Sequence, residues 1–191
     1  MSCPLTIIVL QHPLEKSRAI RSDFVLSKIL PEVSFIRCRK PEQSTNEALR
    51  VALDDTNTTG VLFPSPDSTL LPIATAQHPA PFLKTLIVID GTWDHAKEML
   101  SSSPLLQALQ KFRVQLPLNY RPAFLIRKAP SDNSLSTAEA VAIACDSFDN
   151  GNRTDAVAKV LKAWSEKQLA MMDVGRVVHR IERKGYVKGL F

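Results

Sequence analysis

Leu86-Ile87-Val88-Ile89-Asp90-Gly91-Thr92-Trp93 sets four apolar residues directly before a carboxylate, a glycine, a hydroxyl and an indole. An unbroken apolar run with this share of β-branched residues predicts a strand covered on both faces, the usual condition of a parallel strand. The strand is expected to cover Thr85–Asp90. In an open parallel sheet ligands bind beyond the carboxyl ends of the strands, so Asp90 to Trp93 stand where chemistry is expected. Gly91 lets a backbone or ligand approach closely, and Trp93 offers a flat apolar face with one N–H donor. A purely structural reading of the same residues has Asp90 or Thr92 capping a helix that begins near Asp94, with Trp93 in the core. The sequence leaves both readings open.

Outward from this run the chain alternates β-branched stretches with amphipathic ones. Further strands are expected at Leu5–Gln11, Val33–Cys38, Val61–Phe63, Arg113–Leu116 and Phe124–Arg127. Helix starts are marked by a capping box at Ser44-Thr45-Asn46-Glu47, by Ser103-Pro104, and by a second box at Ser136-Thr137-Ala138-Glu139. A last long helix is predicted over Thr154–Asp173, with Val157, Val160, Leu161 and Trp164 on one face, ending before Gly175. The proline-rich stretch Pro64–Pro81 reads as a connecting loop. With no internal repeat and no break in composition, the expected fold class is α/β: one domain over residues 1–191, a mainly parallel sheet flanked by helices.

The 191 residues are 45% hydrophobic and 23% charged, enough for a sizeable core in one soluble globular domain. No apolar run approaches the roughly 20 residues that cross a bilayer, and Leu5 to Leu10 lacks the basic leader and cleavage site of an export signal, so no membrane association and a cytoplasmic location are expected. Cys3, Cys38 and Cys145 are far apart and form no C-x-x-C pair. They predict reduced, mostly buried thiols and neither a disulfide framework nor a zinc ribbon.

The net charge of +5 is unevenly placed. Lys111, Arg113, Arg121, Arg127 and Lys128 stand between Gln110 and Pro130 without an acid. Arg176, Arg180, Arg183, Lys184 and Lys188 follow Gly175 with only Glu182 against them. Two basic stretches on a nearly neutral body suit a phosphate backbone, although solvated surface strips have the same composition.

Six glycines at 60, 91, 151, 175, 185 and 189 allow neither G-x-G-x-x-G nor a P-loop. His12, His78, His95 and His179 show no metal-ligand spacing, and no serine sits in a G-x-S-x-G elbow. His95 and Glu98 lie three apart on a predicted helix and read as an exposed helix pair. The box at Ser136 opens a helix of small residues just after the acid-free basic stretch. Its N–H groups suit a carboxylate or a ribose, but taken alone the motif reads first as an ordinary well-capped buried helix.

In their order along the chain these motifs resemble the DTW-domain family, named for the aspartate, threonine and tryptophan found here as Asp90, Thr92 and Trp93. The likeness also takes in Gln11-His12-Pro13-Leu14-Glu15, Val61-Leu62-Phe63-Pro64-Ser65, Leu125-Ile126-Arg127-Lys128-Ala129-Pro130 and Leu135-Ser136-Thr137-Ala138-Glu139-Ala140. It implies a tRNA-uridine aminocarboxypropyltransferase, which moves the 3-amino-3-carboxypropyl group of S-adenosylmethionine onto N3 of a uridine and releases methylthioadenosine. It also implies a SPOUT-like fold with a C-terminal topological knot, the co-substrate lying among the knot-region loops.

On that resemblance Asp90 is the catalytic candidate, as general base for the N3 proton or as electrostatic anchor for the co-substrate's ammonium or sulfonium. Pro64, Ser65, Gly91, Thr92, Trp93, Leu116, Leu135, Ser136, Thr137 and Glu139 are expected at the S-adenosylmethionine site. His12, Arg121, Arg127, Lys128, Arg176, Arg180 and Arg183 are expected to face tRNA. Relatives often begin with a cysteine-rich zinc segment; here only Cys3 precedes the first strand, so no metal is expected. Arg21-Ser22 stands where relatives carry an asparagine-threonine pair. A SPOUT-type RNA methyltransferase and a non-catalytic RNA-binding module are the alternative functions. The oligomeric state is open, with the monomer favoured.

Overall fold

Residues 7–11 and 86–90 are buried without interruption, and each run is the inner part of a parallel strand. The computed structural model describes residues 3, 5–17, 22–71, 83–118, 120–124, 134–149 and 151–171. Among them the strands are β1 (Thr6–Gln11), β2 (Ser34–Arg37), β3 (Thr59–Leu62), β4 (Thr69–Leu70), β5 (Thr85–Asp90) and β6 (Gln110–Arg113). The helices are α1 (Asp23–Ile29), α2 (Glu47–Asp54), α3 (Trp93–Ser101), α4 (Pro104–Ala108), α5 (Thr137–Asp149) and α6 (Arg153–Met171). One six-stranded sheet in the order β2-β1-β5-β3-β6-β4 has every strand pair parallel.

The two-residue period of the strands assigns every side chain to one of two layers. Ile7, Val9, Leu62, Leu86, Val88 and Phe112 pack with α1, α5 and α6. Ile8, Leu10, Val61, Phe63, Ile87 and Ile89 pack with α2, α3 and α4. Gly60 is required by this packing, because a Cβ there would fall on the Phe112 ring.

After β1 the chain turns to β2 at one side of the sheet, whereas after β5 it crosses β3 to reach β6 on the other. The gap between the carboxyl ends of β1 and β5 is therefore the topological switch point, where open parallel sheets bind their ligands. Gln11 and Asp90 pair there in register.

Several expectations change. The strand placed at Arg113–Leu116 is β6, three residues earlier; the Val114-Gln115-Leu116 alternation imitates a strand, but Phe112 is the residue that pairs with Leu62 and fills the core. Phe124 is not in a strand. It is buried and stacks on Trp164, ring centroids 5.8 Å apart, and residues 125–127 lie outside the described residues. Asn46, not Ser44, caps α2, accepting from the Leu49 N–H at 3.0 Å; Ser44 accepts from the Asn46 N–H one turn earlier. The proline-rich loop contains β4 and the buried Leu71. On α6 Val157 and Leu161 are buried, but Val160 is 44% exposed because it has rotated off the core stripe.

Cys3 and Cys145 are joined by a disulfide, against the expectation of reduced thiols; Cys38 alone keeps the free state expected of it. Sequence separation hid the pair: two cysteines 142 positions apart are brought to a Cα distance of 5.6 Å by the packing of β1 and α5. Opening so long a loop is expected to lower stability by roughly 2–4 kcal/mol. Urea unfolding midpoints with and without dithiothreitol, with Cys3→Ser as a control that no longer responds to reductant, check this.

Candidate active site

Gln11 and Asp90 end their strands on the odd and even positions that face the α1 and α5 layer. Their side chains meet there: the Gln11 Nε2 donates to Asp90 Oδ2 at 3.1 Å and to Asp23 Oδ2, in the first turn of α1, at 3.0 Å. A primary amide has two N–H donors, and both go to carboxylates. The second Asp90 oxygen, Oδ1, accepts from the hydroxyl of Thr137, the first residue of α5, at 2.6 Å. Asp90 is only 6% exposed and thus ties β1, β5 and α5 together at the switch point.

Glu139, in the first turn of α5, sets that helix in place. Its side chain is fully buried and accepts four hydrogen bonds: from the Tyr120 hydroxyl at 2.9 Å, the Ala123 N–H at 2.6 Å, the Ser136 N–H at 2.9 Å and the Ser136 hydroxyl at 2.7 Å. The Glu139 N–H returns a bond to Ser136 Oγ at 3.3 Å, closing a capping box. Burial and the neighbouring carboxylate push the Tyr120 phenol far above its usual range, so it remains a donor. The Glu139 carboxylate, one of the groups expected at the co-substrate site, is enclosed by its own chain, with Tyr120 and Ala123 bonded to it across the start of α5.

On the opposite face Thr92 caps α3, its hydroxyl accepting from the His95 N–H at 3.2 Å. Trp93 is half-buried, edge-on to Phe63 with centroids 6.2 Å apart. His12, one residue beyond Gln11 and so on this side, stacks on His95 with centroids 4.0 Å apart and planes at 16°. Gly91 leaves room beside the stack: a Cβ there would press on the His95 Cβ at 3.2 Å and touch the His12 Cβ at 3.5 Å. His12, one of the residues expected to face RNA, is 3% exposed under this stack. The expected His95 and Glu98 pairing is replaced as well, since Glu98 is held by Arg39.

Burial foremost, with the adjacent His95, holds the His12 imidazole below its ordinary value, with Arg39 adding to the effect and Glu98 and Glu15 opposing it. The unfolded chain therefore takes up a proton more readily than the folded one. This contribution to stability is complete above the ordinary value of 6.5 and declines as pH falls below it. Urea midpoints measured downward from neutral pH are expected to fall less steeply in His12→Gln than in the wild type.

A family model described as DTW domain matches residues 1–169. The chain belongs to the DTW-domain family. Among curated relatives, the Drosophila melanogaster protein named tRNA-uridine aminocarboxypropyltransferase 2 is 36% identical over 140 residues, covering 71% of this chain and 53% of the fly protein. The Mus musculus protein of the same name is 29% identical over 151 residues, covering 76% and 48%. An Arabidopsis thaliana relative named tRNA-uridine aminocarboxypropyltransferase A is 32% identical over 160 residues, covering 71% and 60%. The chain thus spans about half the length of the first two of these relatives. No solved structure matches it.

The family's name-giving residues therefore divide between two faces of one strand end: Asp90 toward α5, Thr92 and Trp93 into α3. Of the other expected site residues, Ser136 is buried, Ser65, Leu116, Leu135 and Thr137 are half-buried, and Pro64 and Arg121 are exposed. Arg127, Lys128, Arg176, Arg180 and Arg183 lie outside the described residues, as does Arg21. Gln11, Asp23 and Tyr120 were not foreseen as part of the site. Gln11 carried a signal, being the polar residue that closes an apolar strand beside Asp90; Asp23 and Tyr120 carried none. No described helix is long and apolar enough to cross a membrane.

Proposed function

We propose that this chain transfers the 3-amino-3-carboxypropyl group of S-adenosylmethionine to N3 of a uridine in tRNA, releasing methylthioadenosine. The reading is supported by DTW-domain membership and the names of the relatives. The observation that carries it is the position of Asp90, a buried carboxylate fixed at the switch point by Gln11 and Thr137. Family likeness extends the reading to a SPOUT-like arrangement with a knotted C-terminal region, for which the parallel sheet of the described residues is a suitable frame.

The residues present fit the co-substrate. Asp90 and Asp23, bridged by one amide, supply negative charge for a sulfonium and an ammonium. Leu116 and Leu135 are half-buried apolar residues suited to an adenine. S-adenosylmethionine supplies an electrophilic carbon next to its sulfonium. The uridine N3 loses its proton to solvent and bonds to that carbon while the carbon–sulfur bond breaks, its electron pair staying on sulfur, which leaves methylthioadenosine neutral. In this reading Asp90 is a fixed charge, since both its oxygens are already directed by hydrogen bonds and need no reorganisation as the reaction proceeds. Glu139 acts through the placement of Thr137, and Ser65, Gly91, Thr92, Trp93 and Pro64 frame the opposite side. Arg121, with Arg127, Lys128 and the C-terminal arginines, grips RNA phosphates, the planar guanidinium matching two oxygens at once.

Incubation with labelled S-adenosylmethionine and bulk tRNA, followed by nucleoside mass spectrometry, tests this. A uridine carrying the aminocarboxypropyl group is expected. A methylated uridine would show methyl transfer instead, and salt-sensitive tRNA binding without co-substrate binding would show an RNA-binding module.

A further inference from the structure

The His12 side chain carries a hydrogen-bond donor that the described residues leave unused. Its Nδ1 accepts the Leu14 N–H at 3.3 Å. A neutral imidazole accepting at one nitrogen has its proton on the other, so Nε2 is an N–H. Burial and the adjacent His95 lower the ring's affinity for a second proton. Yet Nε2 is buried and has no hydrogen-bond partner among the described residues. Native proteins leave few buried donors without an acceptor, and those left open often mark a functional site.

The location gives the vacancy meaning. The His12 backbone N–H donates to the Asp90 carbonyl at 2.9 Å, so the imidazole is anchored to the same strand end as the carboxylate. Gln11 and His12 thus present an amide toward Asp90 on one face and an imidazole on the other. The facing charged groups are accounted for: Glu98 is engaged by Arg39, and Glu15 has interactions of its own.

We propose that His12 is a substrate-binding residue whose Nε2–H donates to a carbonyl or carboxylate oxygen of a ligand held at the β1 and β5 switch point. This rests on the transfer reading above. Two sources offer such an oxygen: the carboxylate of the S-adenosylmethionine amino-acid arm and a carbonyl of the acceptor uracil. A donor on the uracil carbonyl would also stabilise the charge that spreads onto oxygen when N3 is deprotonated.

The test uses His12→Phe, which keeps an aromatic ring against His95 and removes the donor, and His12→Gln, which restores an N–H near the Nε2 position. S-adenosylmethionine binding is followed by calorimetry without RNA, and transfer to tRNA is followed in single turnover. His12→Phe is expected to lose about 10- to 30-fold, with partial recovery in His12→Gln. The loss falls on S-adenosylmethionine affinity if the carboxylate is the acceptor. It falls on tRNA KM or the transfer rate, with that affinity unchanged, if the uracil is. Wild-type behaviour of His12→Phe in both arms, or equal impairment of both variants, overturns the proposal. Imidazole 15N spectra of the wild-type protein give an answer that does not depend on how the variants fold: a His12 proton on Nδ1, or an Nε2–H unmoved by either ligand, also overturns it. A wild-type chain that neither binds S-adenosylmethionine nor modifies tRNA defeats the transfer reading itself, a result separate from failure of the His12 variants.

Discussion

Asp90→Asn is expected to lower kcat/KM for uridine modification by about 100- to 1,000-fold while leaving the fold intact. Asparagine keeps the shape and both contacts: its carbonyl accepts the Gln11 amide, and its amide donates to the Thr137 hydroxyl, which accepts as readily as it gives. Only the negative charge is removed. The change in stability should therefore stay below about 1 kcal/mol, read from urea unfolding. Steady-state kinetics then separates the two roles of the carboxylate. Loss of a fixed charge that holds the co-substrate's cationic groups raises the KM for S-adenosylmethionine, whereas loss of a base for the N3 proton lowers kcat at unchanged KM. An asparagine variant as active as the wild type would remove Asp90 from the chemistry.

The second large effect belongs to a residue that lies inside the protein. Glu139→Ala is expected to cost roughly 3–5 kcal/mol, because it strands the Tyr120 hydroxyl, the Ala123 N–H and both donors of Ser136 in a buried setting. The energies of these bonds do not add, since all four share one carboxylate. Tyr120→Phe removes a single partner and should cost about 1–2 kcal/mol, measured in the same denaturation series. Loss of Glu139 also frees the start of α5, so transfer should fall with stability, and reduced activity at a temperature where the variant is still folded would mark the positioning role. Thr137, the residue that reaches Asp90, is two positions away.

What the sequence disclosed and what it withheld follow from the range of the forces involved. β1 and β5 were readable because burial on two faces leaves unbroken apolar runs, Ile7 to Leu10 and Leu86 to Ile89. The caps were readable because a cap is a local bond, as at Ser136, Ser103 and Thr92. Even there Asn46 displaced Ser44, since two neighbouring side chains compete for one role. β6 was shifted because its polar residues Gln110 and Lys111 hide a strand whose pairing is imposed by β3. The bond from Thr137 to Asp90, the stack of His12 on His95 and the link between Cys3 and Cys145 depend on which layer each helix joins. No local pattern encodes that. The carboxylate itself was found from its place after a strand, whereas its partners were set by the three-dimensional order β2-β1-β5-β3-β6-β4.

The alternation at the strand ends imposes a rule of parity. Gln11 and His12 are neighbours in the chain but serve opposite sides of the sheet, and only the odd or even count of residues from the strand's start decides which is which. One residue gained or lost inside β1 would exchange amide for imidazole across the sheet, emptying both sites at once although every residue type is still present. Length variation that this architecture survives must therefore fall in the connections, or arrive within the strand two residues at a time.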